Sequence, residues 1–253
     1  MRDVLTDRTV LVTGGSSGIG RAIALASARA GADVALTYRA NERGARDVER
    51  EIRSLGRRSA VVKLDLTDPA SLAAVGPAVS AAFGRIDVWI NNAGADILTG
   101  DGAALSTEDK LDLLMTVDLR GTMLASWQAV ELMAAQADGG VIINMSWDHV
   151  LTGMAGLNPQ LFAAVKGGVL AFSKSLARSV APRVRVNVLA PGWIETSFGE
   201  GIDERARRAV ADSVPMKRWG TPEDVAAAAV FLASPGAAYM TGQVIAVGGG
   251  AVM

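Results

Sequence analysis

The sequence predicts a doubly wound, parallel α/β sheet built as a single domain over residues 1–253. Short β-branched runs alternate with long helical patterns, the order produced by βα units with right-handed crossovers. The strand runs are continuously apolar rather than alternating, as in a sheet covered on both faces. A glycine-rich turn joins the first strand to the first helix.

Residues 9–12 read as the first buried strand, and a helix follows from about 18 to 30. A second strand at 34–38 leads to a charged amphipathic helix over 41–55. Residues 59–63, 69–83 and 88–91 read as strand, helix and strand. One long helix is expected over 108–136, then a strand at 141–144, a helix over 160–179 and a strand at 184–188. Thr221 is the expected N-cap, with Pro222 at the first position, of a helix reaching Ala233; residues 244–247 form the last strand.

Composition excludes several chemistries. The chain has no Cys and one His, which removes disulfides, thiolate metal sites, cysteine nucleophiles and His-pair metal motifs. Lys plus Arg (25) balances Asp plus Glu (26), so no nucleic-acid partner is expected. The polar N-terminus leads straight into a strand, and no apolar run reaches the ~18 residues of a membrane span. A cytoplasmic protein without a membrane partner is the expectation.

The turn Thr13–Gly20 has the spacing TGxxxGxG. Glycines at 14, 18 and 20 permit a tight turn, close approach of a pyrophosphate and close helix–sheet contact, with helix N–H groups aimed at phosphate. The candidate contacts are Gly14, Ser16, Ser17, Gly18, Ile19 and Gly20. Further motifs follow in order: Asp65, Asn91–Asn92–Ala93–Gly94, Pro191–Gly192 with Thr196, Thr241–Gly242–Gln243, and Gly249–Gly250. Over essentially its whole length the chain resembles the short-chain dehydrogenase/reductase family, including 3-oxoacyl-carrier-protein reductases, whose sheet is Rossmann-like. The resemblance implies that Asp65 and Leu66 meet an adenine, Asn91, Asn92, Ala93 and Gly94 the ribose region, and Pro191, Gly192, Ile194 and Thr196 the nicotinamide amide. Residues 91–94 read equally as a turn that stabilises the neighbouring strand. At the end of the second strand, Arg39 stands where an acid would bind a 2′-hydroxyl, so NADP(H) is favoured over NAD(H).

The family's catalytic set is Asn, Ser, Tyr and Lys, with Tyr four residues before Lys on one helix face. Lys166 matches the Lys, which would also hold the nicotinamide ribose, but position 162 is Phe. Asp118 stands where the family has Asn, and Trp147 follows Asn144-Met-Ser146 where the Ser is usual. Counting thirteen residues back from 162 reaches His149, and Gly248 replaces the usual Asp before the glycine pair. Candidates to replace the tyrosine are His149, Asp148 as acid or as orienter of His149, Asp118 as relay, and Lys166 itself, with Ser146 beside them. Structural readings stand beside these: His149 as a loop imidazole, Asp118 as a carboxylate bonded to backbone or Lys166.

Residues 191–218, with Trp193, Phe198, Met216 and Trp219 nearby, are the expected lid, its stretch 199–208 polar; an amphipathic surface helix is the alternative. The aromatic and Met side chains suggest a small-molecule substrate with an apolar body. Apolar helices near 110–135 and 160–180 suggest a homodimer or homotetramer. A carbonyl–alcohol oxidoreductase with a tyrosine-free proton donor is the first reading. A non-redox dehydratase, cyclase or epimerase, or a cofactor-binding protein without turnover, are the others.

Overall fold

The computed structural model describes residues 3–196 and 203–252. Seven strands lie in one parallel sheet: β1 (Thr9–Val12), β2 (Asp33–Tyr38), β3 (Ser59–Lys63), β4 (Val88–Asn91), β5 (Gly140–Met145), β6 (Val184–Pro191) and β7 (Val244–Val247). Their order is β3-β2-β1-β4-β5-β6-β7. The chain therefore reverses direction across the sheet between β1 and β4, and the crevice beyond their carboxyl ends is where such sheets bind ligands.

The continuous apolar runs divide between two cores because successive strand residues face opposite sides. Val10, Val12, Val34, Leu36, Ile90 and Ile143 pack under α1 (Gly18–Arg29), α2 (Glu42–Ser54) and α9 (Pro222–Ala233). Leu11, Ala35, Trp89, Ile142 and Val186 pack on the other face under α3 (Pro69–Phe83), α6 (Gly121–Ala135) and α7 (Leu157–Val180). Thr221 and Asp224 form the reciprocal capping box at α9, with Pro222 in its first turn, as the sequence indicates.

Three local features differ from the expectation. The helix over 107–135 is interrupted: α5 (Thr107–Leu114) passes through a π-helical turn at Met115–Arg120 before α6 begins. A short α4 (Gly100–Ala103) precedes it. β6 runs three residues beyond the expected end, to Pro191, because its register with β7 continues to Pro191↔Val247. Residues Glu204–Ser213 form α8, in the segment for which an amphipathic surface helix is the alternative reading; it is capped by Asp203, whose carboxylate accepts from the Ala206 N–H at 2.8 Å. Phe198 and residues 199–202 of the expected lid lie outside the described residues.

A buried polar chain crosses the sheet beneath the crevice. Trp89 Nε1 donates to Asn91 Oδ1 (2.8 Å), Asn91 Nδ2 donates to Asn144 Oδ1 (2.8 Å), and Asn144 Nδ2 donates to Ser173 Oγ (2.9 Å) on α7. Ser126 on α6 joins it through Asn91 Nδ2 at 3.0 Å. Because Asn144 is fully buried, Asn144→Ala strands a donor on Asn91 and an acceptor on Ser173. The expected cost is about 1–3 kcal/mol, read as a lower urea midpoint at unchanged slope; an unaltered midpoint contradicts the network's role.

Candidate active site

The crevice is shaped by backbone contacts that only glycine allows. Gly14 has φ +66°, and a Cβ there would stand 2.9 Å from the Ala93 Cα. At Gly20 a Cβ would fall 2.2 Å from the Gly14 carbonyl oxygen and 2.5 Å from Asn92 Nδ2. The turn is clamped to the end of β4. Thr13 Oγ1 accepts from the N–H groups of Asn92 (2.9 Å) and Ala93 (3.0 Å), and Asn92 Nδ2 donates to the Thr13 carbonyl at 3.0 Å. Ser17 caps α1 without a side-chain bond, which leaves the first-turn N–H groups open to an anion. Thr196 faces this turn, its Cγ2 3.7 Å from the Cβ position of Gly18.

At the other end of the crevice, Arg39 is exposed beyond β2 and Leu66 is buried against Gly121. The Thr67 hydroxyl and N–H both donate to Asp65 Oδ1, at 2.7 and 2.9 Å, and hold its carboxyl below the ordinary value. The nearby charges of Arg39 and Lys63 act in the same direction. The Asn91 carboxamide is engaged in the buried chain, on Trp89 Nε1 and Asn144 Oδ1.

A cavity of about 430 Å³ opens at the carboxyl end of β5 and β6. Its walls are mostly apolar: Ile19, Leu98, Met145, Met154, Pro159, Phe162, Pro191 and Ile194, with Trp147 and Trp193. The polar side chains lining it are Asn92, Ser146, Asn158, Lys166 and Thr196. Lys166 Nζ pairs with Asp118 Oδ2 at 2.8 Å, their side chains 12% and 1% exposed. Asp118 comes from the π-helical turn, and its Oδ1 accepts from the Ala95 N–H at 2.7 Å. Lys166 Nζ also lies 3.4 Å from the Met145 carbonyl, while Ser146 Oγ donates to the Lys166 carbonyl at 2.9 Å. Phe162 lines the cavity and packs against Ile97, Leu114, Leu161 and Val165. Neither tyrosine does: Tyr38 ends β2, and Tyr239 is fully exposed.

The chain matches, over residues 14–252, the family described as enoyl-(acyl carrier protein) reductase. A 3-oxoacyl-[acyl-carrier-protein] reductase of Vibrio cholerae is 38% identical over 98% of this chain and 99% of its own. The chain belongs to the short-chain dehydrogenase/reductase family. A 3β-hydroxysteroid dehydrogenase of Eggerthella lenta is 36% identical over 99% of this chain and 95% of its own. Among solved structures, a short-chain dehydrogenase from Burkholderia cenocepacia in complex with NADP superposes with TM-score 0.86 at 33% identity, covering 98% of each chain. A blue fluorescent protein from a metagenomic library in complex with NADPH superposes with TM-score 0.87 at 32% identity, covering 98% of this chain and 99% of its own.

This short-chain dehydrogenase/reductase carries a buried carboxylate in the loop after β5. Asp148 opens a 3₁₀ turn (Asp148–Val150), and its Oδ1 accepts from the His149 N–H (2.7 Å) and faces His149 Nδ1 at 2.6 Å. Its Oδ2 lies between two glycines: a Cβ on Gly192 would be 2.4 Å away, and one on Gly248 2.2 Å. The sequence departure at Gly248 and the acid at 148 thus have one steric cause, since the carboxylate fills the space a side chain at 248 would need. His149 stacks on Trp147 (5.0 Å between ring centroids, 25°) and meets Trp193 edge-on at 6.3 Å. Of the candidates, Lys166 and Ser146 line the cavity; Asp148, His149 and Asp118 do not, and Asp118 reaches it only through its pair with Lys166. Asn158, one helical turn before Phe162, was not singled out by motif; its i, i+4 spacing to 162 was the available signal.

Gly248→Ala should destabilise the protein by about 1–3 kcal/mol through overpacking against Asp148. In an Asp148→Ser background most of that loss should disappear, as measured by a double-mutant cycle of urea midpoints. Equal losses in both backgrounds contradict the shared steric cause.

Proposed function

We propose that this protein is an NADP(H)-dependent oxidoreductase that interconverts a carbonyl and an alcohol, with Lys166 rather than a tyrosine moving the proton. One observation carries the proposal: among the described residues, Lys166 is the sole titratable side chain lining the cavity, and it is oriented there by a buried carboxylate.

The residues present fit a nicotinamide dinucleotide. The close backbone approaches at Gly14 and Gly20 and the open N-terminus of α1 form a cradle that a Cβ would fill. The backbone from Gly14 through Ser16, Ser17, Gly18, Ile19 and Gly20 would hold the diphosphate. Asp65 and Leu66 would meet the adenine, Asn91, Asn92, Ala93 and Gly94 the ribose region, and Lys166 the nicotinamide ribose. Pro191, Gly192, Ile194 and Thr196 would meet the carboxamide. Arg39 supports the phosphorylated cofactor, as do the related structures that hold NADP and NADPH. When bound, the cofactor supplies the hydride that reaches the carbonyl carbon.

Every other task falls to the chain. The Lys166 ammonium gives its proton to the carbonyl oxygen: an N–H bond breaks as the O–H bond forms, leaving a neutral amine that solvent reprotonates. In the reverse direction the amine takes the alcohol proton. Asp118 keeps the ammonium aimed throughout, because its second oxygen is fixed by the Ala95 N–H. Ser146 fixes the helix backbone at Lys166 from below. Trp147, Met154 and Phe162 supply apolar walls for the substrate body. Residues 191–218 form the proposed lid, supported by the Arg207–Glu195 ion pair (2.5 Å) that ties α8 to the crevice segment. A homodimer or homotetramer is supported by exposed apolar groups on α5, α6 and the π-helical turn, including Leu111, Met115 and Trp127, the last edge-on to Phe172 of α7. Among the described residues no helix is long and apolar enough to cross a membrane.

The direct test follows absorbance at 340 nm with NADPH and a panel of ketones and aldehydes, and with NADP⁺ and alcohols. Substrate-dependent turnover is expected; failure in both directions overturns the proposal, and conversion without net cofactor change points instead to a non-redox enzyme. Arg39→Ala should raise KM for NADPH by about 10-fold or more, the scale of a charged hydrogen bond, with little effect on NADH. Equal effects on both cofactors contradict the 2′-phosphate contact. Lys166→Met should lower kcat by about 10²–10⁴-fold, the typical contribution of a general acid, and His149→Ala by far less. The reverse ranking moves the proton donor to His149.

A further inference from the structure

Helix α7 presents Asn158, Phe162 and Lys166 to the same cavity. Spaced by four residues, they fall within an arc of about 80° and span about 12 Å along the helix. Lys166 marks the reacting end, where it meets Asp118 and the Met145 carbonyl. Asn158 marks the far end. Among the described residues its half-buried carboxamide has no hydrogen-bond partner, and it does not cap the helix, whose N-cap is Gly156. The wall between the two ends is apolar, formed by Phe162 with Trp147, Met154 and Leu98. Of the other polar groups, Ser146 and Asn92 are already engaged, on the Lys166 carbonyl and on the Thr13 carbonyl respectively, and Thr196 lies against the glycine turn at Gly18.

A carboxamide offers two N–H donors and one acceptor oxygen but no charge. It can pair with a hydroxyl or a carbonyl. It cannot compensate a desolvated phosphate or carboxylate, and among the described residues no cationic side chain other than the paired Lys166 lines the cavity. We infer that Asn158 is a specificity-determining residue, which binds a second, uncharged polar group at the far end of an apolar substrate whose reacting carbonyl lies at Lys166. This rests on the oxidoreductase reading above and narrows its substrate to apolar carbonyl compounds bearing a distal hydroxyl or carbonyl. A site that hydrogen-bonds such a group rejects the analogue lacking it, because its own polar atom is then buried unpaired.

The test compares 4-(4-hydroxyphenyl)cyclohexanone with 4-phenylcyclohexanone, in the wild type and in Asn158→Leu. Binding of NADPH alone is measured first, by fluorescence. The wild type should favour the hydroxylated ketone in kcat/KM by about 10-fold to 100-fold, a difference matching one buried hydrogen bond. Asn158→Leu should erase that preference, raising KM for the hydroxylated ketone and lowering it for the phenyl ketone, which no longer buries an unpaired carboxamide, while NADPH binding stays unchanged. Should turnover of both be too slow to compare, calorimetric binding of each ketone to the NADPH-saturated protein gives the same comparison. NADPH binding without a wild-type preference, or a preference that survives Asn158→Leu, overturns this inference alone. Absence of NADPH binding overturns it together with the oxidoreductase reading.

Discussion

The Lys166–Asp118 ion pair is the contact on which the site is built. Removing both charges from water costs several kcal/mol per ion, and only good geometry with further hydrogen bonds offsets that cost. Here the additional bonds are present: Asp118 Oδ1 takes the Ala95 N–H, and Lys166 lies beside the Met145 carbonyl. The pair therefore joins the π-helical turn, the segment after β4, the end of β5 and α7 at one point. It also explains a small residue at 94, where a Cβ would come within 2.9 Å of Asp118 Oδ2. Loss of either partner leaves an uncompensated buried charge, so the position of the cavity wall and the state of this pair are one problem.

Two kinds of rigidity meet around it. On the crevice side the Thr13–Asn92 clamp and the glycine contacts set the backbone before any ligand arrives, the preorganisation that favours binding of an anionic cofactor. Beneath the sheet the relay from Trp89 through Asn91 and Asn144 to Ser173 fixes β4 and β5 against α7. On the substrate side the aromatic sequence Trp147, His149, Trp193, Trp219 supplies shape instead: each ring meets the next in a stacked or edge-on contact. The Asp148 carboxylate packs beside the glycines at 192 and 248, in space that a side chain there would take.

Most of the fold was legible because strand periodicity and turn chemistry are local. Residues 9–12, 59–63, 69–83, 88–91 and 244–247 occupy the elements expected of them. The π-helical turn was not legible, since Met115–Arg120 has the same apolar pattern as the helix around it; tertiary pairing of Asp118 with Lys166 and Ala95 accompanies the wider turn. The short α4 lies in a polar segment without an apolar stripe to announce it. In the site, Lys166 and the glycine turn could be read from spacing. The loop 146–149 could not, because chain position alone does not say that Asp148 turns toward Gly192 and Gly248 while Ser146 turns toward α7. Asn91 reads as a crevice residue by motif, and spacing does not show that its carboxamide bonds to Trp89 and Asn144.

The central claim is that the Lys166–Asp118 pair, in a site with Phe at 162, faces the reacting oxygen. A crystal structure with NADP⁺ and a bound ketone measures this directly. The account predicts Lys166 Nζ within about 2.7–3.2 Å of the ketone oxygen, with Asp118 still paired to it. A ketone oxygen held by His149, or by any group other than Lys166, would contradict it.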